Sequence, residues 1–305
     1  MTEADAISTA NAPVAHVSTG LRSPRRVKQW ELVEPTATGT LTQVYRARPA
    51  GTPASQPAAY ALKMLQPRWA EDPRAIALLR REAVVGRGVA HPHLVSILAA
   101  SVNRPPYFVA MPWLRGATLR RHLAAGSDMD LPVILWIARQ VAEALDALEA
   151  AGWMHGDVKP SNILISPEAH VTLLDLGFAR RRDESGSVVD RCITGTYNYI
   201  APEMIISALR ADIRSDIYSL GVVLFEMLSG RLPFEANGLA ELATLHKQAA
   251  VPDLRRLVPR LPTGVIRLVR QMLAKEPLRR PQKPQELISQ LVALEIDTFA
   301  ERSPG

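Results

Sequence analysis

The sequence predicts an α+β protein with a sheet-rich N-terminal lobe and a larger, helical C-terminal lobe. Three observations support this fold class. Strand-like segments come first along the chain, and helical segments follow. The chain has 305 residues, enough for one large domain or two lobes. Hydrophobic residues make up 47% and charged residues 22%, which is near the globular average and excludes a mostly disordered chain.

The N-terminal elements begin after a polar tail. Residues 1–26 are rich in Ala, Ser, Thr and Pro, a composition that predicts a flexible segment. Apolar and β-branched residues then predict strands at 44–47 and 60–65. Residues 48–59 separate these strands, and their prolines and glycine predict a turn or loop.

The first helix has a clear start signal. Asp72 is a good N-cap residue, and Pro73 suits the first helical position. The helix is expected to end near Gly86 or Gly88. Two strand-like runs follow it, at residues 94–99 and 107–111.

The second half of the chain is mainly helical in pattern. Residues 117–150 carry an apolar stripe at helical spacing and predict one helical region, which Gly152 ends. Beyond Pro202 helices dominate, with a strongly apolar segment at 217–228. Two short strands are expected between these regions, at residues 163–165 and 171–174.

Composition and charge exclude several classes of protein. Lys plus Arg number 36 against 30 Asp plus Glu, a net charge of +6. These charges are dispersed apart from the triplet at 180–182, and no zinc pattern or aromatic-interleaved basic tract occurs, so we expect no nucleic-acid binding. The longest apolar runs fall far short of the ~20 residues that span a bilayer, and no secretory signal opens the chain. The single cysteine, Cys192, allows no internal disulfide and fits a cytoplasmic location.

Polar side chains of complementary chemistry cluster in the middle of the chain. Asp157, Lys159 and Asn162 lie within six residues, between a predicted helix and a predicted strand. Such a loop can bring a carboxylate to a hydroxyl, an ammonium to a migrating phosphoryl group and an amide oxygen to a metal. Asp175 directly follows the next predicted strand and precedes Leu176 and Gly177, which suits a ligand of Mg²⁺.

The order of these pieces resembles that of the Ser/Thr protein kinases, particularly the bacterial, eukaryote-like branch. The resemblance runs from about Leu32 to Leu294. It implies the two-lobe protein kinase fold, in which an N-terminal antiparallel sheet lobe carries one main helix and the larger C-terminal lobe is helical. The implied kinase domain covers residues 27–296, with the N-lobe at about 27–111 and the C-lobe at about 115–296, and a C-terminal tail at 297–305.

The resemblance also implies roles for individual residues. Lys63 matches the strand lysine that holds the ATP phosphates, and Glu82 matches the helix glutamate that pairs with it. Asp157 matches the catalytic base, and Lys159 the loop lysine of Ser/Thr-specific members. Thr196 matches a catalytic-site residue that bonds this base and lysine, which favours Ser/Thr over Tyr substrates. The metal ligands would be Asn162 and Asp175, and the other ATP-binding residues Gly39, Val44, Ala61, Met111, Pro112, Leu114 and Leu164.

Three further matches are structural in the family rather than catalytic. Glu203 closes the segment 195–203, which resembles the end of the activation segment. Arg280 resembles the arginine that pairs with this glutamate inside the helical lobe. Asp216 resembles the buried aspartate that supports the catalytic loop.

Two departures from the family pattern affect the expected activity. Only Gly39 remains of the phosphate-loop glycines, which weakens the close approach of backbone N–H groups to phosphates. Gly156 stands where most members have an arginine that pairs with a phosphate on the activation loop. Residues 188–193 also lack a hydroxyl. We therefore predict activity that does not depend on phosphorylation of this loop.

The implied function is transfer of the γ-phosphoryl group of ATP to Ser or Thr hydroxyls of proteins. The implied cofactors are ATP and Mg²⁺, or Mn²⁺ in its place, and the implied partners are protein substrates. The sequence contains no sensor domain, so we expect regulation to come from a regulatory partner chain or from the N-terminal tail. Two alternatives remain open at this point. The reduced glycine loop would also suit a pseudokinase that binds nucleotide as a scaffold. A small-molecule kinase would share the fold, although the segment 195–203 argues for a peptide site.

Overall fold

The computed structural model describes residues 26–127, 129–181, 197–206 and 211–299. The predicted tail over residues 1–26 lies outside these ranges except for Arg26, which pairs with Glu31 in a short strand. Of the predicted tail over 297–305, only residues 297–299 are described, and Asp297 is the last residue of a helix. In the part of the chain that is described, no helix is both long and apolar enough to cross a bilayer.

A six-stranded antiparallel sheet forms the N-terminal lobe, in the strand order β1-β2-β3-β4-β6-β5. Apolar side chains cover both faces, because successive side chains in a strand point to opposite sides. One face packs around Trp30 and Phe108, and the other packs around Leu79 and Val109. The strands are β1 (Arg26–Val27), β2 (Trp30–Thr38), β3 (Thr42–Pro49), β4 (Tyr60–Leu65), β5 (Ala99–Ser101) and β6 (Phe108–Pro112).

Helix α1 (Pro73–Gly88) covers the second of these faces. It begins as the sequence predicts, with the Asp72 side chain accepting a hydrogen bond of 2.8 Å from the Arg74 N–H. Leu79 and Ala83 lie on its buried face, one turn apart, and Glu82 is buried beside them. This packing therefore fixes the position of Glu82 along the sheet.

The C-terminal lobe is built around two long helices, α3 (Leu131–Ala150) and α5 (Ile213–Ser229), whose buried residues belong to one apolar core. Every residue of α5 from Ser215 to Met227 is buried, so it is a central helix rather than an amphipathic surface helix. A three-stranded sheet of β7 (Ala117–Thr118), β8 (Ile163–Ile165) and β9 (Val171–Leu173) joins the same core. The helices after α1 are α2 (Leu119–Ala124), α3 (Leu131–Ala150), α4 (Pro202–Ile206), α5 (Ile213–Ser229), α6 (Leu239–Gln248), α7 (Leu254–Leu257), α8 (Thr263–Met272) and α9 (Pro284–Asp297).

The predicted strand at 94–99 is wrong for most of its length, since β5 begins only at Ala99. Residues 94–98 use their N–H groups on different partners. Val95 donates to the Leu173 carbonyl at 3.0 Å, whereas Ile97 donates to the Gly86 carbonyl at the end of α1, at 2.9 Å. The segment therefore links the two lobes instead of extending a sheet.

The predicted continuous helical region at 117–150 is also wrong. It divides into β7, α2 and α3, with a break between residues 124 and 131. Gly126 has a φ of +65° in this break, and the Asp130 side chain accepts a hydrogen bond of 3.0 Å from the Val133 N–H as the cap of α3. Pro132 has no N–H, so it suits a helix start and not an interior position.

Candidate active site

A cavity of about 210 Å³ lies where the sheet lobe meets the helical lobe. Residues 39–42, at the turn between β2 and β3, line it together with Lys63 and Glu82. From the helical lobe, Lys159, Asn162 and Asp175 reach the same space. Residues from five separate parts of the sequence thus converge on one cavity.

Lys63 joins the two sides of this cavity. Its Nζ lies 2.9 Å from Glu82 Oε2 on α1. It also lies 2.8 Å from Oδ1 of Asp175, a residue that closely follows strand β9. Burial disfavours the charged ammonium, but the neighbouring Asp175 and Glu82 carboxylates outweigh this effect and raise the pKa of Lys63. The lysine is therefore a fixed positive charge at neutral pH.

The Lys63 ammonium acts to lower the pKa of both carboxylates, but the net shift of the pKa has opposite signs in the two. Burial, with the nearby Asp175 charge, raises the pKa of Glu82 to about 7, although Lys63 acts against the rise. Burial also disfavours the charged form of Asp175, but the Lys63 ammonium outweighs this effect and lowers the pKa of Asp175. Asp175 thus stays ionised, as a cation ligand must, and Glu82 holds the lysine in place.

Asp157 forms the centre of a second polar group on the helical lobe. Its Oδ2 lies 2.8 Å from Lys159 Nζ and accepts a hydrogen bond of 2.9 Å from Asn162 Nδ2. Asn162 Nδ2 also donates to the Asp157 carbonyl at 2.9 Å. These contacts orient the Asp157 carboxylate. They leave the side-chain oxygen of Asn162, Oδ1, as the amide atom that could bind a cation.

The loop that carries Asp157 is fixed from below by a buried aspartate. The Asp216 side chain accepts hydrogen bonds from the N–H groups of His155 at 2.6 Å and Gly156 at 2.8 Å. His155 is fully buried, and its Nε2 lies 2.9 Å from the Leu174 carbonyl beside Asp175. These hydrogen bonds therefore fix the position of the loop relative to the segment that bears Asp175.

Backbone conformation explains two sequence choices at the site. Gly156 has a φ of +79°, a conformation that glycine adopts without steric cost. Asp175 has a φ of +63°, which Asp tolerates better than most side chains. Its side chain accepts a hydrogen bond from the Gly177 N–H, so the turn itself supports the orientation of the carboxylate.

The apolar residues assigned to adenine share one face of the N-terminal sheet. Val44 lies opposite Lys63 across β3 and β4, and Ala61 lies opposite Met111 across β4 and β6. Ala61 and Lys63 are two residues apart in β4, so these four side chains point to the same side. Val44, Ala61 and Met111 do not line the cavity described above, which covers the Lys63 and Asp175 end of the cleft. Leu164 lies in the other lobe, half-buried in β8.

The segment between the lobes begins at Pro112, the last residue of β6. Trp113 donates a backbone hydrogen bond of 2.9 Å to the Ala59 carbonyl, and the Arg46 guanidinium lies 5.2 Å from the centre of its indole ring. Leu114 follows and is half-buried. Pro112 and Leu114 are thus in the segment that connects the lobes, which is where the resemblance implies that they lie.

A buried ion pair fixes the start of α4 to the helical lobe. Arg280 NH1 and NH2 donate to the Glu203 carboxylate at 2.7 and 2.9 Å. Arg280 is 2% exposed. Thr196, residues 188–193, Cys192 and Arg182 lie outside the described residues, so the assignment of Thr196 stays a prediction.

Sequence reasoning missed several residues that shape the cavity. Ser161 and Phe178 line it, and Gln66 and Trp69 donate hydrogen bonds to the backbone of residues 39–42 from outside it. Ser161 and Phe178 could have been found, because they adjoin the motifs at Asn162 and Gly177. Gln66 and Trp69 belong to no motif, and only the folded structure brings them to the turn.

The donor set at the cavity fits a hard cation bound together with phosphate oxygens. Asn162 and Asp175 offer oxygen ligands, and Mg²⁺ is commonly held by one or two carboxylates plus substrate phosphates. Among the described residues, no group of three or more His, Cys, Asp or Glu side chains could hold a metal alone. Water and the phosphate oxygens of a bound nucleotide would complete the ligand shell of a cation held here.

Comparison with known sequences agrees with this geometry. A sequence model of the protein kinase domain matches residues 30–292. Serine/threonine-protein kinase PrkC of Bacillus subtilis is 30% identical over 243 residues, which cover 79% of this chain and 37% of that protein. Serine/threonine-protein kinase PknD of Mycobacterium tuberculosis is 34% identical over 221 residues, which cover 72% and 33%. The matched region is thus about a third of the length of each relative.

Proposed function

This chain belongs to the protein kinase family, and on that premise we propose that it transfers the γ-phosphoryl group of ATP to Ser or Thr hydroxyls of proteins. The relatives that carry the name serine/threonine-protein kinase support the substrate class. The observation that carries the proposal is the convergence of Lys63, Asp157, Asn162 and Asp175 at one cleft, each with its chemical partner in place.

The phosphates of ATP would meet Lys63 first. Its ammonium is held between Glu82 and Asp175, so it needs little reorganisation to bind α- and β-phosphate oxygens. The Asp175 carboxylate and the side-chain oxygen Oδ1 of Asn162 would hold Mg²⁺ or Mn²⁺, which neutralises charge on the phosphates when bound. Val44, Ala61, Met111 and Leu164 would contact adenine, with Pro112 and Leu114 offering backbone groups and Gly39 lying over the phosphates.

Asp157 would act on the acceptor hydroxyl. Its carboxylate can orient the Ser or Thr side chain and accept the hydroxyl proton late in the transfer. Lys159, 2.8 Å from that carboxylate, would stabilise negative charge on the migrating phosphoryl group. Thr196 would hold Asp157 and Lys159 in the arrangement that favours Ser or Thr.

The direct test incubates the protein with γ-labelled ATP, Mg²⁺ and a general protein substrate. We expect transfer to fall at least a hundredfold in Lys63→Met and in Asp157→Asn. Lys247→Met is the matched control, because Lys247 is exposed on α6, and it should keep wild-type activity. Wild-type protein that binds ATP but transfers no label would contradict the proposal and support a nucleotide-binding scaffold.

We propose further that transfer does not require phosphorylation of the activation loop. Gly156 offers no cation to a loop phosphate, and its N–H is committed to Asp216 at 2.8 Å. Phosphatase-treated protein and Thr194→Ala should keep activity within about twofold of untreated wild type. A drop of more than tenfold in either would show that a loop phosphate is needed.

The setting in the cell is also a proposal. The relatives named above come from bacteria, and ATP as phosphoryl donor, with a single cysteine in the sequence, suits the cytoplasm of a bacterium. Protein substrates follow from the kinase activity. We propose that a regulatory partner chain, rather than loop phosphorylation, controls it. Nucleic acid is not expected among the partners.

A further inference from the structure

The turn between β2 and β3 is held by residues that no motif includes. We call residues 39–42 the hairpin tip and residues 66–69 the strap; the strap leaves the end of β4 and leads towards α1. Gln66 Nε2 donates to the Gly39 carbonyl at 2.7 Å and to the Thr42 carbonyl at 3.3 Å. Trp69 Nε1 donates to the Thr40 carbonyl at 2.9 Å.

Further contacts complete the attachment of the hairpin tip. The Gln66 N–H donates to the Leu41 carbonyl at 2.9 Å, and Arg68 NH2 donates to the Thr40 carbonyl at 3.1 Å. Each of the four carbonyls of the tip therefore accepts at least one hydrogen bond from the strap. The Leu41 side chain is buried in the same apolar cluster as Leu65, which anchors the tip from the other side.

Glycine does not impose this shape. A Cβ added to Gly39 would meet only the Thr42 side chain and carbonyl, at 3.6 Å or more, which is ordinary contact. Gly39 also lies outside the positive-φ glycines of the chain. The conformation of the tip is thus set by the strap and by Leu41, and a residue with a side chain could adopt it.

The direction of the carbonyls has a consequence for the N–H groups. In a planar trans peptide the C=O of one residue and the N–H of the next point in opposite directions. When the Gly39 and Thr40 carbonyls turn to the strap, the N–H groups of Thr40 and Leu41 turn away from it. Since the tip lines the cavity that holds Lys63, backbone donors set in this way can serve a phosphate.

We propose that Gln66 and Trp69 are positioning residues that hold the hairpin tip over the ATP phosphates. This inference rests on the proposed function and deepens it: hydrogen bonds from the strap do the work that the missing glycines at Ala37 and Thr42 would do elsewhere. Neither side chain lines the cavity, so both act through the backbone of the tip.

The expected effect is on binding of the triphosphate. Phosphates contact the tip both before and during transfer, so loosening the tip removes stabilisation from both states and raises KM with little change in kcat. Net hydrogen-bond contributions predict a rise in KM for ATP of about three- to tenfold in each single variant. Adenosine has no phosphates and should bind equally well to every variant.

The variants are Trp69→Phe, which keeps the ring and removes the indole N–H, and Gln66→Leu, which keeps the length and removes the amide. The matched controls are Trp136→Phe and Gln285→Leu, which remove hydrogen bonds to the Ala169 carbonyl at 3.2 Å and to Asp146 at 2.8 Å in the helical lobe. KM and kcat for ATP, and the inhibition constant of adenosine, are measured for all four and for the Trp69→Phe/Gln66→Leu double variant.

Controls should match wild type, and the double variant should show the largest KM. The proposal is overturned if the double variant keeps KM within twofold, if kcat falls instead, or if adenosine affinity falls in parallel. Loss of folding in Trp69→Phe, seen as a lost thermal transition, would also overturn it, because a residue that only positions the tip is dispensable for folding. Absence of ATP binding in wild type would instead refute the proposed function.

Discussion

Gly86, in the last turn of α1, is the position where one added methyl group should disturb the cleft most. A Cβ there would lie 2.4 Å from Cγ1 of Ile97 and 3.4 Å from Cδ1 of Leu176. Carbon atoms pack at about 3.5–4.0 Å, so Ile97 would have to move by more than 1 Å or α1 would have to shift. The Gly86 carbonyl also accepts the Ile97 N–H at 2.9 Å, which keeps the two segments close.

The expected cost follows from two opposing effects. Forcing a methyl group into a packed core costs about 1–3 kcal/mol. Replacing Gly by Ala inside a helix contributes about 0.5–1 kcal/mol in the other direction. Gly86→Ala should therefore lower the free energy of unfolding by up to about 2.5 kcal/mol. Because Glu82 lies one turn earlier on α1, a helix shift should also lengthen its contact with Lys63 and reduce transfer.

Urea denaturation and the labelled-ATP assay measure both effects. Gly88→Ala is the matched control, because a Cβ there meets nothing within 4 Å, and it should be neutral or stabilising. Truncation of Ile97 removes the closest atom, so Gly86→Ala should lower the free energy of unfolding by less in an Ile97→Ala background than in wild type. If Gly86→Ala is as stable and active as Gly88→Ala, the tight contact between α1 and residue 97 does not fix the helix as argued.

Two further predictions concern buried charges. Arg280→Met leaves the Glu203 carboxylate without its two hydrogen bonds and should lower the free energy of unfolding by about 3–5 kcal/mol. Arg279 is exposed, so Arg279→Met should change this free energy by less than about 0.5 kcal/mol. Equal urea midpoints for the two variants would contradict this prediction. Glu82, with its pKa raised to about 7, binds a proton in the folded protein over a range where the unfolded chain does not. Stability should therefore fall as the pH rises from about 4.5 to 7, by up to about 1.4 kcal/mol per pH unit, and Glu82→Gln should lose this slope; parallel pH curves for the two proteins would refute it.

Local signals in the sequence were enough to predict the helix and the strand that carry Glu82 and Lys63. Asp72 and Pro73 mark the start of α1, and the helical repeat from there brings Glu82 to the face that packs on the sheet. Lys63 lies inside the strand predicted at 60–65, which is β4 in the structure. The pairing of Lys63 with Glu82 came from the family resemblance, and the distance of 2.9 Å agrees with it.

Tertiary contacts decide what the sequence could not predict. Residues 94–98 have strand-like side chains, but the N–H groups of Val95, Ile97 and Leu98 bond to carbonyls of three different elements, β9, α1 and β6. Gly126 and Pro132 are local signals for the break before α3. The apolar stripe at helical spacing nevertheless led to the prediction of one continuous helical region. The contacts of Gln66 and Trp69 with the hairpin tip have no periodic or motif signal, because they depend on where β4 ends relative to β2 and β3.

Binding of a cation by Asp175 and Asn162, together with the nucleotide, is central to the proposed phosphoryl transfer. The direct measurement is the affinity for ATP, by calorimetric titration, with and without Mg²⁺. Wild type and the exposed control Asp297→Asn should bind ATP at least tenfold more tightly with Mg²⁺, and Asp175→Asn should lose this dependence. An Asp175→Asn protein that keeps the full effect of Mg²⁺ would contradict the account.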